Sequence, residues 1–316
     1  YYHYYPWWKT FFEGLGLEVV ASEETSKTIL DAGVEECVND ACIPIKLFHG
    51  HVVNLKSKVD YLFIPRLVSV RRFGTETFCP KFLGLPDLVR ASLGDLPEII
   101  DVRVDLKRSR LELFRLCQQV ARRLGVGFWR AARAFWQAKR VYRRYCQLLY
   151  QKLTPPEALE VIEGGSKTET AAVPAKLRFA VLGYPYAVYD RFMNVDLMKK
   201  LKGLGVKIVT TEMIPPRRLL AEARQLPKDL FWHFSNQVIQ ATSYFIHREP
   251  VDGIIHVTAF GCGPDAMVDR MMELDAKQNG RIPFLSIMVD EHTGDGGILT
   301  RLEAFVDMLK MRRGLD

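Results

Sequence analysis

The sequence predicts an α/β protein that consists of two doubly wound parallel-sheet lobes and an inserted basic helical hairpin. Apolar runs of strand length alternate with amphipathic helical stretches near both ends of the chain, which is typical of parallel sheets covered by helices. Between them, residues 105–150 keep apolar side chains at helical spacing. The length of 316 residues, with 48% apolar and 26% charged residues, is sufficient for two folded domains.

The N-terminal lobe is predicted to occupy residues 1–100. PWWKTFFEGLG predicts an amphipathic helix that ends at two glycines, and LEVVAS after it predicts a short buried strand. Ser22 or Thr25 is the predicted N-cap of the next helix. The apolar run at 59–67 predicts a further strand, because β-branched and aromatic residues are concentrated there. This order of strand, helix and strand favours a parallel sheet.

The basic helical hairpin is predicted at 101–154, where Gly125 and Gly127 separate two helical patterns. Its apolar positions are expected to form one core face: Leu111, Phe114, Val120, Phe128, Ala132, Trp136, Tyr142 and Leu148. Between Asp101 and Lys152 there are 14 Lys or Arg and three acidic residues, so the excess of positive charge is 14 − 3 = 11. This excess is larger than the net charge of +7 for the whole chain. A solvated helical face is the interpretation that we favour, and a nucleic-acid-binding surface is the alternative.

A linker that becomes small and polar is predicted at 155–176, and the C-terminal lobe is predicted at 177–316. The strands of this lobe are predicted at RFAVLGYP, VKIVTTEM, VDGIIHVTAF and IPFLSIMVD, with helical stretches between and after them. This alternation predicts a four-stranded, doubly wound parallel sheet.

The six cysteines are scattered and form no dense framework, which favours a reducing compartment and therefore a cytoplasmic protein. The apolar runs are too short to cross a bilayer, and no signal peptide opens the chain. We therefore expect no membrane association.

Three cysteines follow or adjoin predicted strand ends, where open parallel sheets collect their ligands. Cys79 comes after the strand YLFIP and Cys262 after GIIHVTAF, and Cys42 is expected to face the same cleft. Each is followed within two residues by Pro, so the backbone beside the thiol is stiff. Thiolates held in this way suit a metal cluster, because nearby backbone N–H groups can tune its potential.

The stretch ECVNDACIPIKLFHGH offers a competing hypothesis, a local zinc site formed by Cys37, Cys42, His49 and His51. The residues IPIKL between the two pairs are expected to be extended, which would hold the cysteines and histidines apart. We therefore favour a hydrogen-bonding role for the histidines and keep Cys37 as a possible extra cluster ligand.

The two remaining cysteines, Cys117 and Cys146, lie inside predicted helices among apolar residues and are expected to be structural. The sequence contains no GxxxxGK[ST], GxSxG or HExxH motif, no CxxC pair and no dinucleotide-binding fingerprint. We therefore expect that this chain does not itself hydrolyse ATP.

Six motifs carry a resemblance to a known family: YYHYYPWWKTFFEGLG, DACIPIKLFHGHV, YLFIPRLVSV, FCPKFLGLPD, AFGCGPDAMV and DEHTGDGGILTRLEAF. In this order they resemble the acyl-CoA dehydratase activase-related proteins. That group is allied to the subunits of 2-hydroxyacyl-CoA dehydratase and benzoyl-CoA reductase, and to the double-cubane cluster proteins. The resemblance covers nearly the whole chain apart from the basic helical hairpin.

The resemblance implies two α/β lobes of Rossmann or flavodoxin type with an iron–sulfur cluster between them. Cys42, Cys79 and Cys262 occupy the matching motifs, and they would hold a [4Fe–4S] cubane or a double-cubane [8Fe–9S] cluster. The electrons would come from a separate ATP-hydrolysing activator that carries its own cluster. A sister dehydratase-like subunit and an oligomer are also expected. Relatives begin with a short strand, so the first strand of the N-terminal lobe is expected to be missing here.

The leading hypothesis is therefore an iron–sulfur redox protein that receives low-potential electrons and reduces a substrate or a partner. The alternative is a non-catalytic scaffold or maturation partner of such a system, and a nucleic-acid-binding module is the least favoured hypothesis. The positive hairpin could also dock an acidic partner or attract the phosphates of coenzyme A. Side chains that could line the cleft as proton donors or neighbours of the cluster are Lys46, His49, His51, Arg66, Lys81 and His292.

Overall fold

The chain folds as a mixed α/β structure with parallel strands. A computed structural model describes residues 1–71, 76–107, 109, 111–165, 176–225, 230–280 and 282–315. The chain divides into two compact units: the first unit comprises Tyr1, His3–Gln147 and Phe231–His233, and the second unit comprises Tyr2, Leu148–Leu230 and Phe234–Asp316. The predicted linker lies partly outside the described residues, which omit 166–175.

The first unit contains seven described helices and four short strands. Its helices are α1 (Tyr5–Leu15), α2 (Lys27–Glu36), α3 (Ile43–Leu55), α4 (Pro80–Leu83), α5 (Leu85–Ser92), α6 (Glu112–Arg123) and α7 (Phe128–Tyr150), the end of which belongs to the second unit. Its strands are β1 (Tyr61–Phe63), β2 (Arg66–Ser69), β3 (Glu98–Ile100) and β4 (Arg103–Asp105). β1 pairs with β3 and β2 with β4, both in parallel. These two small sheets do not confirm a doubly wound N-terminal lobe.

The segment LEVVAS was predicted as a buried strand, and this prediction is wrong. Residues 17–26 have no regular structure, and the side chain of Val20 is 43% exposed. Leu17 and Val19 pack only partly against the aromatic core of α1, and no strand pairs with the segment in the described part of the chain. The apolar side chains of this segment therefore pack partly against the core, while its backbone forms no hydrogen-bonded ladder with a strand among the described residues.

The helix after this segment is α2, but its N-cap differs from both predicted candidates. The N-cap is Ser26, whose Oγ accepts a hydrogen bond from the backbone N–H of Ile29 at 3.4 Å. Ser22 and Thr25 instead place their hydroxyls beside the ring of His51. The sequence offered several hydroxyl residues in a row, and only the tertiary contact to α3 separates their roles.

The predicted strand at 59–67 is present as two strands that meet at Pro65. The N–H of Ile64 donates to the carbonyl of Ile100 at 3.1 Å, and that of Arg66 donates to Val102 at 3.0 Å. Pro65 has no N–H to donate, so the ladder is interrupted there and resumes in the other two-stranded sheet.

The segment IPIKL is helical, so the prediction that it is extended is wrong. It forms the first turn of α3, where Pro44 is tolerated because the N–H groups of a first turn have no partner within the helix. α2 and α3 approach each other through glycines: a Cβ on Gly33 would lie 1.9 Å from the carbonyl oxygen of Lys46, and one on Gly50 would lie 1.8 Å from that of Ile29. Backbone-to-backbone packing of this kind places the end of α2 beside the start of α3.

The helical stretches of the predicted hairpin form α6 and α7, which Gly125 separates with a positive φ of 72°. Leu116, Val120, Ala134 and Phe135 from these helices lie in one core with the aromatic side chains of α1. Three residues that were predicted to face the core are instead exposed: Leu111, Phe128 and Trp136. The two helices are thus present, while their role as an inserted hairpin stays a prediction.

The second unit contains a four-stranded parallel sheet, as predicted. Its elements are α8 (Pro155–Ile162), β5 (Leu177–Gly183), α9 (Pro185–Tyr189), α10 (Leu197–Gly203), β6 (Val206–Val209), α11 (Pro216–Glu222), α12 (His233–His247, the first residue of which belongs to the first unit), β7 (Gly253–Ala259), α13 (Gly263–Asp275), β8 (Phe284–Val289) and α14 (Asp295–Arg313). Single turns of other helix types lie at Thr211–Met213, Ala223–Gln225 and Ala276–Gly280. The strand order is β6–β5–β7–β8, so the winding direction changes between β5 and β7.

Both faces of this sheet are covered by helices. Phe179 on β5 packs against Phe305 of α14, with 5.4 Å between the ring centroids. Its neighbour Ala180 points to the other face and lies in a core with Phe245 of α12 and Val268 of α13. Of the helices in the described part of the chain, none combines the length and apolar character that crossing a membrane requires.

Candidate functional site

Three cysteines and two lysines lie close together in the first unit, and we call them the thiol–lysine cluster: Cys37, Cys42, Cys79, Lys46 and Lys81. The Nζ of Lys81 is 3.9 Å from the Sγ of Cys42. Cys42 is close enough to Cys79 for their charges to interact, and Cys37 likewise interacts electrostatically with Lys46 and with Cys42. The fold thus brings Cys42 and Cys79 together although they are far apart in sequence.

The backbone fixes Cys37 and Cys42 on either side of a tight turn. Cys37 is the C-cap of α2, and Cys42 is the N-cap of α3. Between them the N–H of Ala41 donates to the carbonyl of Val38 at 3.0 Å. Because the two helices are in backbone contact, this turn has little freedom to open.

Burial decides the protonation of these thiols. It raises the pKa of Cys42, and the ammonium of Lys81 opposes that rise without cancelling it. Burial likewise raises the pKa of Cys37. Both thiols are therefore harder to deprotonate than a free cysteine, because the nearby lysines oppose the effect of burial only in part.

The segment before Cys79 is held by a buried contact between a glutamate and a histidine that the sequence did not reveal. Glu76 Oε1 lies 2.9 Å from His233 Nδ1, and both side chains are almost fully buried. The N–H of Thr77 donates to Phe231 at 3.0 Å and that of His233 donates to Thr77 at 2.9 Å, which forms a parallel bridge. The separation of more than 150 positions hides this pair from sequence reasoning, since nothing local distinguishes Glu76.

In the second unit, Cys262 lies just past the end of β7, as the strand pattern of the sequence predicts. It is the N-cap of α13 and follows Gly261, which has a positive φ of 76°. The N–H of Cys262 donates to the carbonyl of Ala259 at 3.1 Å, and its own carbonyl accepts from Ala266 at 3.0 Å. Cys42, Cys79 and Cys262 therefore share one kind of position: each is the N-cap of a helix with Pro in the first turn.

A buried charged group lies under the turn that carries Cys262, and no motif in the sequence indicates it. His256 of β7 has its Nδ1 2.6 Å from Asp269 Oδ1 and its Nε2 3.3 Å from Asp265 Oδ1. Burial alone would lower the pKa of His256, but the two carboxylates outweigh it and raise the pKa to about 9. The signal in the sequence was a single His in an apolar strand, followed by two acids four positions apart on the next helix.

Three of the predicted cleft residues are engaged in structural contacts. The Nδ1–H of buried His49 donates to the carbonyl of Ile45 at 2.8 Å, within its own helix. His51 contacts Ser22 and Thr25, and its Nδ1 is 2.8 Å from Ser22 Oγ. Arg66 pairs with carboxylates at the edge of the small sheets, and the hydrogen bond that it donates to Asp87 is the main cause that raises the pKa of this guanidinium.

The last predicted cleft residue, His292, is exposed on a loop of the second unit, where its N–H donates to Asp290 Oδ1 at 2.9 Å. The local zinc hypothesis gains no support. His49 and His51 make the contacts described above, and among the residues that the structure describes no three His, Cys, Asp or Glu side chains form a group that could hold a metal ion. This finding includes the predicted cluster ligands Cys42, Cys79 and Cys262, so their role as ligands stays a prediction.

The two cysteines predicted to be structural lie in helices. Cys117 is fully buried in α6, and burial raises its pKa to about 12. Cys146 is half-buried in α7. Neither belongs to the thiol–lysine cluster.

Comparison with protein families identifies this scaffold. The family model described as "CoA enzyme activase uncharacterised domain (DUF2229)" matches residues 1–214. The chain belongs to this family. The match covers more than half of the chain, contains Cys42 and Cys79, and confirms the resemblance to acyl-CoA dehydratase activase-related proteins. A comparison with curated proteins gave no match.

Proposed function

We propose that this protein is an iron–sulfur redox component of a CoA-enzyme system. It would receive low-potential electrons from a separate ATP-hydrolysing activator with its own cluster, and reduce a substrate or a dehydratase-type partner. The proposal rests on one observation: in the first unit, Cys79 and Lys81 both lie close to Cys42. The family description supports the link to CoA enzymes.

The thiols of the first unit suit part of a cluster site. Cys42 and Cys79 are each the N-cap residue of a helix, and the ammonium of Lys81 lies 3.9 Å from the Sγ of Cys42. Lys81 would offset the negative charge of bound thiolates. A cubane or double cubane bound there would supply one-electron transfer at low potential.

The third proposed ligand is Cys262 of the second unit. This assignment rests on its motif and on its place at the end of β7, and Cys37 is a possible extra ligand. The proposed full fold is the one that the resemblance implies, two doubly wound lobes with the basic hairpin inserted. A sister subunit, an oligomer and a cytoplasmic location belong to the same proposal, the last because free thiols persist in reducing compartments.

The ATP-dependent step is assigned to the partner, because the chain has no GxxxxGK[ST] loop. Purified protein should therefore hydrolyse ATP no faster than a blank. Hydrolysis that co-purifies with the chain and disappears in a point variant would show instead that the chain is itself the activase.

Anaerobic purification followed by iron and sulfide analysis and by EPR of the reduced protein tests the cluster. Cys42→Ser, Cys79→Ser and Cys262→Ser should each lose most of the iron and the EPR signal. Cys146→Ser is the matched control, because this half-buried thiol lies outside the thiol–lysine cluster, and it should retain both.

A folded protein that stays colourless and free of iron after reconstitution would refute the cluster. If the three serine variants also keep the effect of the protein on its partner enzyme, the non-catalytic scaffold is the correct function. Circular dichroism of each variant distinguishes loss of the cluster from loss of the fold.

A further inference from the structure

One side of α7 exposes indole rings and guanidinium groups together, and we call it the Trp–Arg face. Its members are Trp129, Arg133, Trp136, Arg140, Arg143 and Arg144. The side chain of Trp129 is 83% exposed and that of Trp136 is 59% exposed. These positions recur every three or four residues and so lie on one side of the helix. The opposite side, with Ala131, Ala134 and Phe135, is buried against α1 and α6.

The face carries positive charge that the chain does not neutralise. Residues 128–150 contain five Arg, one Lys and no acidic residue. Within the described part of the chain, none of the four arginines of the face forms an ion pair, whereas exposed arginines elsewhere do, such as Arg115 with Glu112 at 3.0 Å. Lys139 places its Nζ 4.5 Å from the ring centroid of Trp136.

This arrangement is unfavourable for a surface that meets only water. Like charges three and four positions apart on a helix repel each other, here Arg140 with Arg143 and Arg144. Two exposed indoles leave large apolar areas hydrated, and such areas commonly mark interaction sites. Both costs are removed when a surface with carboxylates and apolar side chains covers the face.

We propose that the Trp–Arg face docks an acidic surface of a protein partner, on which carboxylates alternate with apolar side chains. Arg and Trp are enriched at protein–protein hot spots, where Lys is depleted, and this helix carries five Arg and one Lys. Guanidinium groups bind carboxylates through two parallel hydrogen bonds. The inference does not depend on the cluster, so it can fail or hold independently of the proposed function.

The geometry favours a protein over single-stranded nucleic acid. Proteins that bind single strands use a positively charged groove that follows the phosphates, with bases stacked on aromatic rings. A single helix side is convex, and its two indoles are about 10 Å apart along the axis, because each residue advances the helix by about 1.5 Å. Anionic lipid is the other surface that a basic, Trp-bearing helix can bind.

The test measures binding of a labelled helical peptide in which Glu and Leu alternate along one face. It should bind the whole protein, and a Gln-for-Glu analogue should bind at least about tenfold more weakly. Arg143→Glu with Arg144→Glu should weaken binding at least about tenfold, because each reversal converts attraction into repulsion. Trp129→Ala with Trp136→Ala should also weaken it about tenfold, which corresponds to a typical hot-spot loss.

The matched control is Arg217→Glu with Arg218→Glu, an adjacent exposed pair on α11 with the same change in charge. It should change peptide affinity by less than about twofold once salt screens long-range attraction. Oligo-dT and vesicles of phosphatidylcholine and phosphatidylglycerol are the competing probes. Tighter binding of either probe than of the peptide, no peptide binding at low salt, or an equal effect of the control pair would overturn the proposal.

Discussion

His256 is a buried histidine between two carboxylates, and its charge contributes to folding. Its pKa is raised to about 9, above the ordinary value near 6.5, because Asp265 and Asp269 outweigh the effect of burial. Neither carboxylate oxygen of Asp265 has a well-aligned hydrogen-bond donor among the described residues. The positive charge of the His256 imidazolium, 3.3 Å away, therefore offsets the negative charge of this buried carboxylate. The turn with Cys262 begins the helix that carries both acids.

This raised pKa predicts a stability change at alkaline pH. The contribution of His256 is complete below about pH 6.5 and is lost as the pH rises through about 9, and the shift corresponds to about 3 kcal/mol. Urea unfolding at pH 7 and pH 10 should show that the disadvantage of His256→Gln shrinks at the higher pH. An unchanged difference between the two proteins would mean that His256 is neutral in the folded state.

A second prediction at this scale concerns Cys117. Burial raises the pKa of its thiol to about 12, so iodoacetamide at pH 8 should leave it unmodified in the folded protein. Mass spectrometry of tryptic peptides should find it alkylated only after denaturation in urea. Labelling of Cys117 at the same rate as half-buried Cys146 would show that α6 opens locally.

At the scale of elements, the contact between α2 and α3 depends on Gly33 and Gly50. An added Cβ at either position would meet backbone carbonyl oxygens at less than 2 Å, so the helices would have to separate. Gly33→Ala or Gly50→Ala should therefore lower the free energy of unfolding by about 2–3 kcal/mol, as overpacking typically does.

The matched control is Gly203→Ala in α10, where a Cβ would meet nothing within 4 Å. There the substitution should stabilise the protein slightly, because Ala favours a helix over Gly by about 1 kcal/mol. Chemical denaturation of the three variants measures the free energy of unfolding of each and tests this difference. If all three changed stability alike, close packing would not explain the glycines of α2 and α3.

At the scale of the whole molecule, the two units differ in the support of their sheets. β5 and β7 are buried and have a neighbour on both sides, whereas β1 to β4 pair only in twos among the described strands. A two-stranded sheet is marginal without further support. Hydrogen exchange followed by mass spectrometry should therefore find the slowest amides in β5 and β7. Equal protection of β1 to β4 would show that packing against helices compensates for their missing neighbours.

Much of the second unit was predictable from the sequence. β5 to β8 are short apolar runs between amphipathic helices, and a strand buried on both faces leaves this pattern. The place of Cys262 followed from the same pattern, because strand ends in parallel sheets are fixed by topology. In the first unit, Pro44 after Cys42 was compatible with either an extended segment or the first turn of a helix. The structure shows that it lies in the first turn of α3.

Hydrophobic period and motif order can be read along the chain, so the class of the fold, the sheet of the second unit and the family were predictable from the sequence. Contacts between distant segments set which hydroxyl caps α2, prevent LEVVAS from forming a strand, leave Trp136 facing solvent and bring Glu76 to His233. Each of these depends on what surface lies opposite a residue. That surface comes from distant parts of the chain, so a local pattern does not contain it.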